Sequence, residues 1–151
     1  MIEEIKRQIQ QKVKNKIVNK DRRMEAVLKF NYKRFWHSII TQSRATLPGF
    51  FQPDAIIRWH CTNVQFTVEE YVKVNCDYPN DWEGEIERVE ENGDTIVLVG
   101  RVFPKDKSES YHVVSFIKVR DGKVAEMDEY WADDGEAPKW RADLGIGKKI
   151  K

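Results

Sequence analysis

From Trp82 to Ala132 the chain alternates with a period of two, in runs of about 82–91, 94–104, 109–120 and 123–132. This pattern constrains the fold most, because successive residues of a strand point to opposite faces of a sheet. Asn92-Gly93 separates the first two runs and Asp121-Gly122 the last two. Both pairs supply the positive-φ positions that tight hairpins demand, so the runs are expected to form an antiparallel meander. The longer break at 104–108 makes the middle connection a loop.

Both alternate sets in 94–104 are apolar, Ile96, Leu98 and Val102 against Val97, Val99 and Phe103. In 109–120, His112, Val114 and Phe116 oppose Tyr111, Val113, Ser115 and Ile117. A sheet with one wet face should alternate apolar with polar, so both faces here are expected to be covered. Helices can cover one. A second copy of the chain is expected on the other, which predicts a homodimer through the sheet.

The first half has helical periodicity. Ile2, Ile5, Ile9, Val13 and Ile17 make a narrow stripe on a basic helix, expected to pack on its own domain or on a second subunit. A second helical segment, roughly 22–43, carries Met24, Val27, Leu28, Tyr32, Phe35, Trp36, Ile39 and Ile40 on a broad apolar face. Leu47-Pro48-Gly49 ends it, and residues 55–61 read as a β-branched and aromatic strand. Thr67 and Glu70 have capping-box spacing, opening a helix that should stop before Pro79. The fold class is therefore α+β, with helices packed on one face of an antiparallel sheet and an extra helix at the N-terminus. The expected division is a basic amphipathic helix over 1–21, the main domain over 22–141 and a basic tail over 142–151.

Charge and composition exclude several functions. The net charge is +1, with +5 over residues 1–23 and about −4 over the rest, which argues against bulk capture of nucleic acid. No apolar run is long enough to span a bilayer and no secretory segment is recognisable, so a cytoplasmic protein without a membrane partner is expected. Cys61 and Cys76 form no framework, and three scattered histidines match no metal-ligand spacing. No phosphate-binding or dinucleotide glycine motif is present, so no cofactor and no metal are expected.

The last run carries the chemistry. Met127, Glu129 and Trp131 fall on one face, and a carboxylate between a thioether and an indole suits a pocket wall. If that face is buried, Glu129 must find a partner or hold a proton. Trp59 to Asn63 and Asp77 to Trp82 are expected near the cavity mouth, where Asn63 could bond a ligand carbonyl and Trp82 close over an apolar body.

Pro53-Asp54-Ala55-Ile56-Ile57, the Arg120-Asp121-Gly122-Lys123-Val124 turn, Glu129-Tyr130-Trp131 and Ala137-Pro138-Lys139-Trp140-Arg141 together resemble the nuclear transport factor 2-like superfamily, specifically its SnoaL-like branch. The resemblance covers about residues 22–141 and implies a cystatin-like cone with helices wrapped on a curved antiparallel sheet. That fold hosts isomerases, dehydratases, hydrolases, cyclases and non-catalytic factors, so it leaves the function open. Against the ketosteroid isomerase pattern of an Asp base with a Tyr and a protonated Asp, the resemblance puts Trp59, Phe35 and Ser115 at those positions. Steroid isomerisation by that route is not expected. Against the limonene epoxide hydrolase pattern, Arg101 matches the arginine and Glu129 the second acid, while Phe103 stands at the remaining Asp position. Scytalone dehydratases use pocket histidines, but strand parity turns His60 and His112 away from the cavity.

The expected function is binding of a small hydrophobic molecule in an apolar pocket, with cofactor-free isomerisation, dehydration or hydrolysis as the chemistry it could support. Glu129 would be the acid/base and Arg101 the charge stabiliser, converging on one hollow. Trp36, Trp59, Cys61, Asn63, Trp82, Phe103, Ser115, Met127 and Trp131 would line it. The alternative is a non-catalytic dimeric protein-interaction module.

Overall fold

The computed structural model describes residues 1–151, with the backbone alone for 26–29. Helix α1 runs Ile2–Lys29 without a break, across the expected boundary at 21/22. Val27 and Leu28, expected on its apolar face, lie outside the residues whose side chains are described. The break comes instead at Phe30-Asn31. Asn31 accepts from the Arg34 amide at 3.0 Å and starts α2, Tyr32–Ile40. Short polar side chains favour that position because they satisfy an amide the helix leaves unpaired.

Six strands follow, β1 (Phe51–Trp59), β2 (Val64–Phe66), β3 (Trp82–Asn92), β4 (Thr95–Pro104), β5 (Tyr111–Arg120) and β6 (Lys123–Asp133). They form one curved sheet in the order β2-β1-β6-β5-β4-β3. The meander β3–β6 matches the alternating runs to within about two residues. Asp121 and Gly122 both take positive φ in the last hairpin. In the first, Asn92 still pairs with Thr95, so the loop is Gly93-Asp94, one residue later than the Asn-Gly pair suggests. The sheet departs from all-antiparallel pairing at one place, since β1 runs parallel to β6. That pairing needs a crossover rather than a hairpin, and the strands and helix between β1 and β6 supply it.

Helix α3, Val68–Asp77, has the full capping box, with Thr67 and Glu70 each bonding the other's backbone. The helices cover the inner face of the sheet. Phe30, Phe35, Phe51 and Tyr71 fill one end of that face with rings 5.3–5.6 Å apart. Farther along, Trp36 packs closely against β3 and β4 at two glycines. A Cβ at Gly100 would stand 2.2 Å from the Trp36 ring, and one at Gly84 would stand 3.0 Å from it.

The outer face keeps part of its apolar surface open. Val97, Val99 and Val114 are half-buried there, while Phe116 and Tyr130 are exposed. The α1 stripe is also open, with Ile2, Ile5, Ile9, Val13 and Ile17 all at least 52% exposed. The core-facing role expected for that stripe within this chain is not seen.

Candidate functional site

Cross-strand register decides which side chains can meet. Leu98, Ser115, Glu129 and Trp59 lie on one rung across β4, β5, β6 and β1, on the inner face. Gly100, Val113 and Trp131 form the next rung on the same face. Arg101 pairs with His112, which pairs in turn with Ala132, and this rung faces outward. The expected convergence of Arg101 with Glu129 is therefore absent, because the two stand on opposite sides of the sheet. Arg101 packs over the Phe103 ring at 4.8 Å and lies 3.7 Å from Asp134 and 3.9 Å from Glu85. Phe103 goes outward with it, away from any inner pocket.

Glu129 is 3% exposed and accepts three hydrogen bonds, from Trp59 Nε1 at 2.7 Å, Trp131 Nε1 at 3.2 Å and Ser115 Oγ at 2.8 Å. Burial pushes its carboxyl above the ordinary value, against the pull of these three donors. The same burial, with Glu129 close by, raises the Tyr71 hydroxyl well above its ordinary value. Glu129 is thus the hub that fixes two indoles.

Those indoles stand at the open end of the inner face, where a cavity of about 300 Å³ lies between α2, the end of α3 and the ends of β4, β5 and β6. Ile39, Ile40 and Val102 give it an apolar floor. Trp59, Trp82, Trp131, Tyr78 and Tyr111 give it aromatic walls. Gln42, Asn75 and Asp133 supply polarity, with Cys61 and Thr62 at the exposed rim. The volume lies at the lower end of ligand pockets.

Of the expected pocket residues, Trp59, Cys61, Trp82 and Trp131 line this cavity. Ser115 and Glu129 lie behind the indoles, and Met127 is fully buried beside Ile57 and Ile117. Trp36 is in the core one turn before Ile39 and Ile40, and its buried Nε1 has no partner among the described residues. Asn63 is exposed, taking left-handed φ to close the turn His60–Thr62 that ends β1 early. Cys61 reaches the cavity from that turn and not by strand alternation.

Sequence reasoning expected the segment holding Tyr78 at the cavity mouth, but missed Ile39, Ile40, Gln42, Asn75, Val102, Tyr111 and Asp133. The first two were assigned to an apolar face and Val102 and Tyr111 to strand faces, but Gln42, Asn75 and Tyr78 come together only through loop geometry. Gln42, at φ 53°, donates to the Asn75 and Tyr78 carbonyls at 2.9 and 2.7 Å, and Asn75 donates to the Ile39 carbonyl at 3.1 Å.

The two strand-parity histidines stay outside the cavity. His112 bonds Asp134 and, at 3.2 Å, Glu87. Its hydrogen bond to Asp134 leads in raising its pKa, against the cost of partial burial. His60 bonds Asp128 at 2.7 Å and stacks on Tyr130 with centroids 4.5 Å apart. No group of metal-holding side chains occurs among the described residues.

Comparison with solved structures returns this fold repeatedly. A candidate ketosteroid isomerase from Kribbella flavida shares 19% identity, covering 80% of this chain and 87% of its own, with a TM-score of 0.67. A nuclear transport factor 2-like protein of unknown function from Burkholderia xenovorans shares 18% identity over 87% of this chain and 97% of its own, TM-score 0.63. An LEH-like epoxide hydrolase from M. tuberculosis shares 12% identity over 72% of this chain and 84% of its own, TM-score 0.58. At these identities the likeness is one of fold. No curated protein matches the chain. The model of the SnoaL-like domain matches residues 32–127, more than half of the sequence and all of the helices and strands around the cavity except the end of β6. With a cone of helices on a six-stranded sheet and that match, the chain belongs to the SnoaL-like domain family of the nuclear transport factor 2-like superfamily.

Proposed function

We propose that the chain binds a small, largely apolar organic molecule in the cavity at the open end of its sheet. The observation that carries this reading is an unfilled volume of about 300 Å³ walled by Trp59, Trp82 and Trp131. Glu129 sits behind Trp59 and Trp131, so its first role is to position them. A proton could pass from Glu129 to a ligand only if Trp131 swung aside. Arg101, on the far face, has no path to such a ligand. Binding is therefore the reading favoured over isomerase, dehydratase or hydrolase turnover.

Titration with cyclohexanone, a small apolar carbonyl compound, should change tryptophan fluorescence and raise the melting temperature. Val102→Phe, which fills the floor, should abolish both effects. Unchanged binding by that variant would place the ligand elsewhere and overturn the reading.

The open outer face supports a homodimer, with Phe116 at 43% and Tyr130 at 45% exposure awaiting cover. Light scattering at micromolar concentration should give twice the chain mass, and a monomer would remove this part. The exposed α1 stripe favours a second reading, an interaction module in which α1 docks a partner. Among the described residues no helix is long and apolar enough to cross a membrane. Deleting residues 1–20 should leave the fold and cyclohexanone binding intact. Loss of folding would show instead that α1 shields the body of the protein.

A further inference from the structure

We infer that the cavity selects small organic cations, alkylated ammonium groups in particular, over neutral and anionic molecules of the same shape. The inference rests on the cavity being a ligand site and adds the charge of what it takes.

The cavity's hydrogen-bond donors are mostly spent within the protein. Trp59 and Trp131 give their N–H groups to Glu129, and Trp82 gives its N–H to the Pro79 carbonyl at 2.8 Å. The Tyr111 hydroxyl donates to Glu109 at 2.7 Å. The Gln42 amide nitrogen serves two backbone carbonyls and the Asn75 amide nitrogen a third, which also fixes the orientation of both amides. What the two amides still offer is their side-chain oxygens and one Asn75 N–H, and the rim adds the Asp133 carboxylate. Among the described residues no Lys, Arg or His lines the cavity. An anion would meet carboxylate and π-electron density with no counter-charge.

The rings supply the rest. Tyr78 and Trp82 stand 6.0 Å apart at 66°, Trp82 and Tyr111 6.0 Å apart at 60°, and Trp59 and Trp131 6.4 Å apart at 64°. Rings tilted this far from one another enclose a volume from several directions. A cation over aromatic faces is attracted by their quadrupoles, and most strongly by tryptophan. Donating both indole N–H groups to a carboxyl leaves those two faces electron-rich. A neutral ligand of the same shape would fill the same volume but forgo the attraction of the ring faces and the rim carboxylate for a positive charge.

The test is calorimetric titration with choline, its neutral isostere carrying tert-butyl in place of trimethylammonium, and the tert-butylacetate anion. Choline should bind about tenfold or more tighter than the neutral isostere, with the anion weakest. Asp133→Asn, an exposed rim change that leaves the walls in place, should weaken choline by roughly fivefold and leave the neutral isostere unchanged, as expected of one removed charge at the rim. Equal or tighter binding of the neutral isostere overturns the cation selection while leaving the cavity reading standing. The same holds if cyclohexanone binds and choline does not. If neither cyclohexanone nor any of the three binds, both readings fall together.

Discussion

Replacing Glu129 separates what its charge does from what its shape does. In Glu129→Leu the indole N–H groups of Trp59 and Trp131 lose their acceptor at a site that is 3% exposed. Each buried donor left unpaired costs about 1–3 kcal/mol, and the Ser115 hydroxyl can turn elsewhere, so the two indoles should cost about 2–6 kcal/mol. For a chain of this size even the lower figure is a fall of roughly 4–8 °C in melting temperature. Glu129→Gln keeps a carbonyl oxygen for the two indoles and turns an amide towards Ser115, whose hydroxyl can accept. Weaker neutral hydrogen bonds are offset by removing a buried charge, so the net change should stay within about 1 kcal/mol at neutral pH. The pH dependence should also differ. A carboxyl raised above its ordinary 4.5 in the folded state contributes stability that is complete below 4.5. That contribution is lost as pH rises through the folded value. Wild type should therefore lose ground to Glu129→Gln as pH rises from 4.5 through that window. Urea denaturation followed by circular dichroism at a series of pH values measures both effects. A Gln variant as damaged as the Leu variant, or a wild-type advantage that does not vary with pH, would refute the argument.

Gly100→Ala should cost about 1–3 kcal/mol by overpacking, since its Cβ would overlap Trp36. Adding Trp36→Leu should recover part of that loss in the same denaturation assay. Thr67→Ala removes the acceptor for the Glu70 amide and should lower stability by about 1 kcal/mol. His112 should titrate by NMR above 6.5, and Asp134→Asn should bring its midpoint down. The stabilisation from that raised value is complete below 6.5 and fades as pH rises through the folded midpoint.

The four strands of the meander were legible because Gly93 and the Asp121-Gly122 pair fix two of the turns and parity fixes which residues share a face. Parity also placed Met127, Glu129 and Trp131 together correctly. It could not place Arg101 against Glu129, because that needs register across strands. The five-residue break 104–108 between β4 and β5 has no turn signature that would set register. The end of β1 was read two residues late, since nothing before Asn63 announces a left-handed turn. The break at Phe30-Asn31 was missed for another reason: apolar periodicity continues through it on both sides, and only the Asn31 cap marks it. The cavity's polar groups were the least legible, because Gln42, Asn75 and Tyr78 are gathered by side-chain bonds to backbone across 33 and 36 positions.

The parallel seam between β1 and β6 sets the order in which the site can come into being. Trp59 and Glu129 are 70 positions apart, and closing a chain segment of that length is a slow step compared with forming hairpins. A polypeptide emerging from the ribosome can build the capped helix α3 and the first hairpin early. It has no acceptor for the Trp59 indole N–H until β6 has left the exit tunnel. Ligand present during synthesis would therefore find nothing to hold until β6 has docked on β1, and would then act on the newly closed seam alone.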